Sequence, residues 1–284
     1  MIGSPQHVPV PVHRVRFCIM SVFETVTSRV LVATHPFCTT TTTVVIGDAA
    51  DCLIVDPAVT VEEVDGMAAE LSRLGLAIAA GFSTHPHWDH LLWRVALGAA
   101  PRYATAAAAN VARSRVEHNV THSAGPAPGY DQAVFTRVTA LAPGADVLPW
   151  TGRRVEVIEH RAHAQGHAAL YLPDERVLIA GDMLSDIEIP LPDHDAADPL
   201  ADYVAALDMF AALDVDVLIP GHGTVGDTAE FRRRLNLDRR YLDAVTAGTE
   251  VADPRFGDAA EWLHREHATT MAHALDKHGP ATTQ

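Results

Sequence analysis

A chain of 284 residues with 48% hydrophobic content can bury a sizeable core, and a single large domain is expected rather than two modest ones. Its 36 acidic against 21 basic residues give a formal net charge of -15, which disfavours a nucleic-acid backbone as partner. No apolar run approaches the roughly 20 residues of a membrane span, and 1–16 lacks a cationic segment followed by a long apolar one, so a soluble protein without a membrane partner is expected. Cys18, Cys38 and Cys52 are odd in number and without framework spacing, which points to a reducing, cytoplasmic compartment.

Residues 1–19, rich in Pro and Val and holding His7 and His13, read as a flexible extension before a domain over 20–284. Three β-branched runs follow, Ser28–Ala33, Thr41–Ile46 and Cys52–Val55, broken by Pro36 and by Gly47-Asp48-Ala49-Ala50-Asp51, and they predict a strand meander. The Thr39–Thr43 run fits a strand with one polar face. Thr60-Val61-Glu62-Glu63 is a capping box, and Val64, Met67, Ala68, Leu71 and Leu74 carry the helical period up to Gly75.

Leu76–Phe82 then reads as a buried strand, and it delivers the chain into His85-Pro86-His87-Trp88-Asp89-His90. Three imidazoles and a carboxylate at this spacing are expected by chance only about 0.005 times in a chain of this composition. Nitrogen and oxygen donors suit zinc, with iron or manganese compatible. On a strand end and a tight loop, His85 and His87 can face one ion while Asp89 and His90 face a neighbour.

A short strand over Pro101–Thr105 and a helix over Thr105–Arg115 are expected next, then a loop at Gly125-Pro126-Ala127-Pro128-Gly129. Strands return at Arg154–Glu159, Ala168–Leu172 and Arg176–Ala180. Asp198 and Pro199 open a helix faced by Leu200, Tyr203, Val204, Leu207 and Phe210, strand Val215–Ile219 follows, and helices fill about 230–278. Three further candidate ligands stand where apolar strands end: His163, Asp182 in Gly181-Asp182, and His222 in Gly221-His222-Gly223. His160 and His167 compete with His163. His264, His267, His273 and His278 read as a solvated helix face, and the spacing of His118, His122 and His194 implies no particular task.

Taken together, H-x-H-x-D-H, a later His, Gly-Asp and Gly-His-Gly resemble the metallo-β-lactamase superfamily over about Val26 to Val245. The resemblance implies an α+β fold, a four-layer αββα sandwich with C-terminal helices and metals at one edge. By position it implies that His85, His87 and His163 hold a first divalent ion, that Asp89, His90 and His222 hold a second, and that Asp182 bridges them. Aligning the family's middle motif on Gly166-His167 selects His163, although Arg161-Ala162 stand where the family has Pro-Gly.

The implied reaction is hydrolysis of a small ester, lactone or thioester by a dinuclear-metal-bound hydroxide, with Asp89 orienting the water and moving its proton. A mononuclear-iron persulfide dioxygenase and a non-catalytic metal-binding protein are the alternatives. Ser185 replaces the tyrosine that lactone-hydrolysing relatives carry after the bridging aspartate, and 185–190 lacks the segment of glutathione-thioester hydrolases. The loops 125–130 and 187–199, with Trp88 and Trp93, are candidates to wall the pocket and suit a compact substrate of limited charge.

Overall fold

In the computed structural model, residues 22–257 and 259–278 are described. The expected extension over 1–19, with His7, His13 and Cys18, and the side chain of His278 lie outside the described residues.

The first sheet has seven strands in sequence order: β1 (Glu24–Thr27), β2 (Val30–Thr34), β3 (Thr41–Ile46), β4 (Asp51–Val55), β5 (Ala77–Phe82), β6 (Arg102–Ala104) and β7 (Thr139–Ala140). Pairing is antiparallel as far as β4 and parallel from there to β7. The second sheet runs β12 (Gly226–Asp227), β11 (Val217–Pro220), β10 (Val177–Gly181), β9 (His167–Leu172), β8 (Glu156–His160). Its β10–β11 pair is parallel and the others antiparallel, so both sheets are mixed.

Strand periodicity accounts for the layering. Successive side chains point to opposite faces, so Val30, Val32, Val45, Leu53 and Val55 meet Leu170, Leu172, Val177 and Ile179 between the sheets. Their neighbours Leu31, Ala33, Val44, Cys52 and Ile54 pack outward on Val64, Met67 and Leu71 of α1 (Val61–Arg73). The outer face of the second sheet is covered through Tyr203, Leu207 and Phe210 of α4 (Pro199–Ala211) and Phe231, Tyr241 and Leu242 of α5 (Thr228–Ala247). Leu263 and Ala274 of α6 (Glu261–His278) join the same cluster. This is the αββα sandwich. Both faces of the central strands are buried, which is why they read as near-continuous apolar runs.

Local signals behave as expected at the helix starts. Thr60 and Glu63 close a reciprocal capping box on α1, and the Asp198 side chain accepts from Ala201 N at the head of α4. Thr105 caps α2 (Ala106–Ser114) rather than lying in it. Three strands and helices of the first half, β1, β7 and α3 (Val116–Ser123), a polar helix with little apolar period, exceed the expectation, as does the short β12 in the second. Threonines 41–43 do not present a polar face to water; all three are buried, and Thr42 donates to the Asp56 carbonyl at 2.9 Å.

At one end the sheets are stitched together by backbone hydrogen bonds, Ala168 N to Thr84 O at 2.9 Å and Thr41 N to Gly221 O at 2.8 Å. Behind that end, a buried arginine ties the C-terminal helices to the segment after β10. Arg255 donates to the Glu188 carbonyl at 2.8 Å and to Ser185 O at 3.3 Å, and it pairs with Asp238 at 2.6 Å and Asp253 at 2.7 Å. Burial lifts the Asp238 carboxyl to about 6 against the opposing pull of Arg255. Arg255→Ala would strand both carboxylates in the interior and is expected to cost about 3–5 kcal/mol in urea denaturation. A loss below about 1 kcal/mol would show that the network is not what holds this end together.

Candidate metal centre

Four strands of the two sheets end at the same place, and every candidate donor sits just past such an end. β5 leads to His85, His87, Asp89 and His90; β8 to His163; β10 to Asp182; β11 to His222. His85 Nε2 and His163 Nε2 each lie 3.0 Å from His87 Nδ1, and each lies 3.5 Å from Asp182 Oδ2. Asp89 Oδ2 is 3.4 Å from His222 Nε2 and 3.7 Å from His90 Nε2. Asp182 joins the groups, with Oδ2 3.5 Å from His222 Nε2 and Oδ1 3.2 Å from His90 Nε2.

The outward nitrogens of four rings are held by acceptors. His163 Nδ1 is 2.8 Å from Leu191 O, and His222 Nδ1 is 3.0 Å from Cys38 O. His90 Nδ1 lies 2.9 Å from Asp56 Oδ2. Thr84 donates its hydroxyl to Asp56 at 2.6 Å, so the same oxygen accepts from His85 Nδ1 at 3.0 Å. With the proton on the outer nitrogen, each inner nitrogen can offer a lone pair to a cation; although burial disfavours their charged forms, Asp182 with Asp56 and Asp89 raises His90, and Asp182 with Asp89 raises His222, well above the ordinary imidazole value.

Electrostatics follow from this geometry. Burial holds His85 well below the ordinary imidazole value, and His90 adds to the effect. Burial, with His163 nearby, lowers His87 to about 3. Burial alone would raise the Asp89 carboxyl, but His90 and His222 hold it at about 2. Asp182 is likewise held well below the carboxylate range against burial by His90, His222 and His85. Neutral imidazole lone pairs facing one another at 3.0 Å repel unless a cation stands between them, and a tetrahedral ion with bonds near 2.0–2.1 Å spaces its ligands about 3.3 Å apart. The buried Asp182 Oδ1 and His90 Nε2 face each other at 3.2 Å and have no other hydrogen-bond partner among the described residues. The donor set therefore fits divalent cations: His85, His87, His163 and Asp182 as one group, Asp89, His90 and His222 as another.

His160 and His167, the competitors of His163, are not in either group. They lie behind it, with His167 fully buried and its ring 4.9 Å from that of His85. Of the three unassigned loop histidines, His118 lines a cavity of about 320 Å³ that opens on His87 and His163. His122 Nδ1 faces the His118 carbonyl at 2.8 Å, and His194 stacks on His273 away from the centre. His267 is not simply solvated, since Tyr241 Oη lies 3.0 Å from its Nδ1.

The cavity wall differs from the expected one. Arg115, Arg161 and Gln165 face it, with Asp193 and Asp195 from the 187–199 loop, and Arg115 pairs with Asp195. Gly129 and Tyr130 lie elsewhere, as does Trp93. Sequence reasoning missed Asp56, whose signal was available: an Asp-Pro directly after the apolar run Cys52–Val55, the same strand-end position as the other donors. It also missed Glu188, which burial raises to about 7, with His222 opposing and Asp182 and Asp89 adding.

The profile of the metallo-beta-lactamase superfamily matches residues 36–222, more than half of the chain. The chain belongs to that superfamily of metallo-hydrolases. A hydroxyacylglutathione hydrolase from Thermosynechococcus vestitus is 29% identical over 131 residues, which cover 46% of this chain and 43% of that protein. The match thus spans less than half the length of this curated relative. A metallo-beta-lactamase family protein from Thermus thermophilus superposes with a TM-score of 0.59 at 23% identity, covering 86% of this chain and 91% of the other. A beta-lactamase domain protein from Burkholderia ambifaria gives 0.59 at 19% identity, over 80% and 76%. These two share the fold.

A Cβ on Gly221 would stand 2.1 Å from Asp182 Oδ1 and 3.1 Å from both the Gly181 carbonyl carbon and the His90 ring. Gly221→Ala is therefore expected to displace Asp182 and weaken zinc binding at least about tenfold, with circular dichroism unchanged. Parental zinc affinity in this variant would mean that the carboxylate is not held where the two groups join.

Proposed function

We propose that the chain is a hydrolase of a small ester, lactone or thioester, working with two divalent ions, zinc favoured. The observation that carries this reading is the Asp182 carboxylate, which lies within 3.5 Å of donor nitrogens from both groups. His85, His87 and His163 would hold the first ion, Asp89, His90 and His222 the second, and Asp182 both. Such a pair, when bound, supplies Lewis acidity and a water that ionises near neutral pH. The nitrogen-rich donor set supports zinc.

The remaining work falls to the chain's own side chains. Asp89, held ionised by His90 and His222 and only 15% exposed, would orient the attacking water and pass its proton on. Asp56 keeps the His90 and His85 rings in the required tautomer. The cavity beside His87 and His163 receives the acyl group. Likeness to a hydroxyacylglutathione hydrolase supports a thioester among the candidate substrates. The net charge of -15 supports a small molecule rather than nucleic acid as partner. Among the described residues no helix is long and apolar enough to cross a membrane. The free thiols Cys38 and Cys52 support a reducing, cytoplasmic setting.

Elemental analysis of purified, zinc-reconstituted protein should return close to two equivalents of metal. No metal after reconstitution with zinc, iron or manganese would rule the centre out, and about one equivalent of iron with oxygen uptake would replace hydrolysis by dioxygenase chemistry. On a panel of esters, lactones, thioesters and phosphodiesters, the carboxylic substrates should be cleaved; efficient cleavage of RNA, DNA or a phosphodiester reporter alone would overturn the substrate class. Asp89→Asn should lower kcat by about 10²–10⁴ while retaining most of the metal. Parental turnover by that variant would remove Asp89 from the proton's path.

A further inference from the structure

A second cavity, of about 720 Å³, opens on the other side of the segment that follows His90. Its wall combines Trp93, Tyr130 and Val134 with three guanidinium groups, Arg94, Arg102 and Arg137. The close packing there depends on Gly81 of β5: a Cβ at that position would stand 2.5 Å from the Trp93 ring and 3.2 Å from Arg102 Cγ. Trp93 is fixed in turn by its indole N–H, which donates to Gly98 O at 3.1 Å.

One cation at this cavity stands without a carboxylate. Arg94 is paired with Asp65 at 2.8 Å, and Arg137 with Asp131 at 3.4 Å. Arg102 is 4% exposed and has no carboxylate partner among the described residues. It donates to the carbonyls of Leu91, Val134 and Arg137, its Nε has no partner, and the Trp93 ring centroid is 6.0 Å from its Cζ. Burial, with Arg137 nearby, lowers its pKa to about 10, and no acidic group offsets this. Carbonyl dipoles solvate a guanidinium but do not neutralise it, and a buried charge without a counter-ion is costly.

We infer that this cavity is a binding site for a small organic monoanion with a flat apolar body, an aromatic carboxylate. Arg94 and Arg137 already have carboxylates, and Glu62 and Glu63 lie near Arg94 and Tyr130 on the far side, so the one guanidinium without a counter-ion, Arg102, favours a singly charged carboxylate over a phosphate dianion. Its planar body lies against Trp93 and Val134, and its carboxylate takes the Arg102 and Arg137 side. The site is separate from the metal centre, and the inference does not depend on hydrolysis.

The test is calorimetric titration of the full chain, zinc-loaded and zinc-free, with 1-naphthoate and with the uncharged 1-naphthamide. Naphthoate should bind with one equivalent in both forms, at least tenfold more tightly than the amide. Ala100→Phe, which fills the cavity, should abolish binding, and Arg137→Gln should weaken it several-fold. Arg102→Met should erase the preference for acid over amide; should that variant fail to fold, the other two still decide. Equal affinity for acid and amide, no binding of either, undiminished binding in Ala100→Phe, or loss of binding on zinc removal would each overturn the inference.

Discussion

The mutual repulsion of lone pairs at the centre is the constraint around which this fold is arranged. Three neutral imidazoles and a carboxylate converge to within 3.0–3.5 Å, and left alone they would push apart. Several of the donor rings are held from behind by groups the sandwich itself supplies. Asp56, just past β4, holds His90 directly and His85 through the Thr84 hydroxyl, the Leu191 carbonyl holds His163, and the Cys38 carbonyl holds His222. Preorganisation of this kind is what lets a cation bind without the protein first having to gather its ligands.

That support extends beyond the family-matched residues 36–222. Ser185, just past Asp182, donates to the His222 carbonyl at 2.8 Å, and Asp186 accepts from Thr224 N at 2.8 Å. The β10 and β11 loops therefore brace each other. Arg234 of α5, fully buried, donates to Thr224 O at 2.8 Å, and Arg255 holds the carbonyls of Ser185 and Glu188. The C-terminal helices thus do more than cover apolar strands. They fix the loops that deliver Asp182 and His222, and they do so with buried cations that gain several carbonyl and carboxylate partners each.

How much of this could be read in advance depends on how local the determining interaction is. His85, His87, Asp89 and His90 are contiguous, so their spacing alone marked them, and α1 and α4 announced their own caps. His163, Asp182 and His222 are weak singly and became readable only as a series of strand ends. Asp56 escaped because its role lies in contacts to Thr84 and His90, far along the chain. The helix at Val116–Ser123 escaped because its polar sequence has little apolar stripe; it is tied down by tertiary contact, with Asn119 donating to the Pro86 carbonyl at 3.3 Å. Pocket walls are the least legible part, since Arg115, Arg161 and Asp195 come from three separate segments.

Net charge misleads for a related reason. A chain at -15 reads as hostile to anions, yet the field a ligand meets is set by the few charges within a Debye length or less, weighted by burial. Here basic groups are scarce overall, yet three of them, Arg102, Arg234 and Arg255, are buried, while much of the acidic excess lies on the surface. Arg102 is the exception among the three, because Arg234 and Arg255 have acidic partners and it has none among the described residues. It also grips the carbonyl of Leu91, the residue after His90, so one guanidinium supports the metal loop from outside and leaves its charge uncompensated toward the second cavity. A cation recruited to brace one site creates, by its unspent charge, the conditions for another.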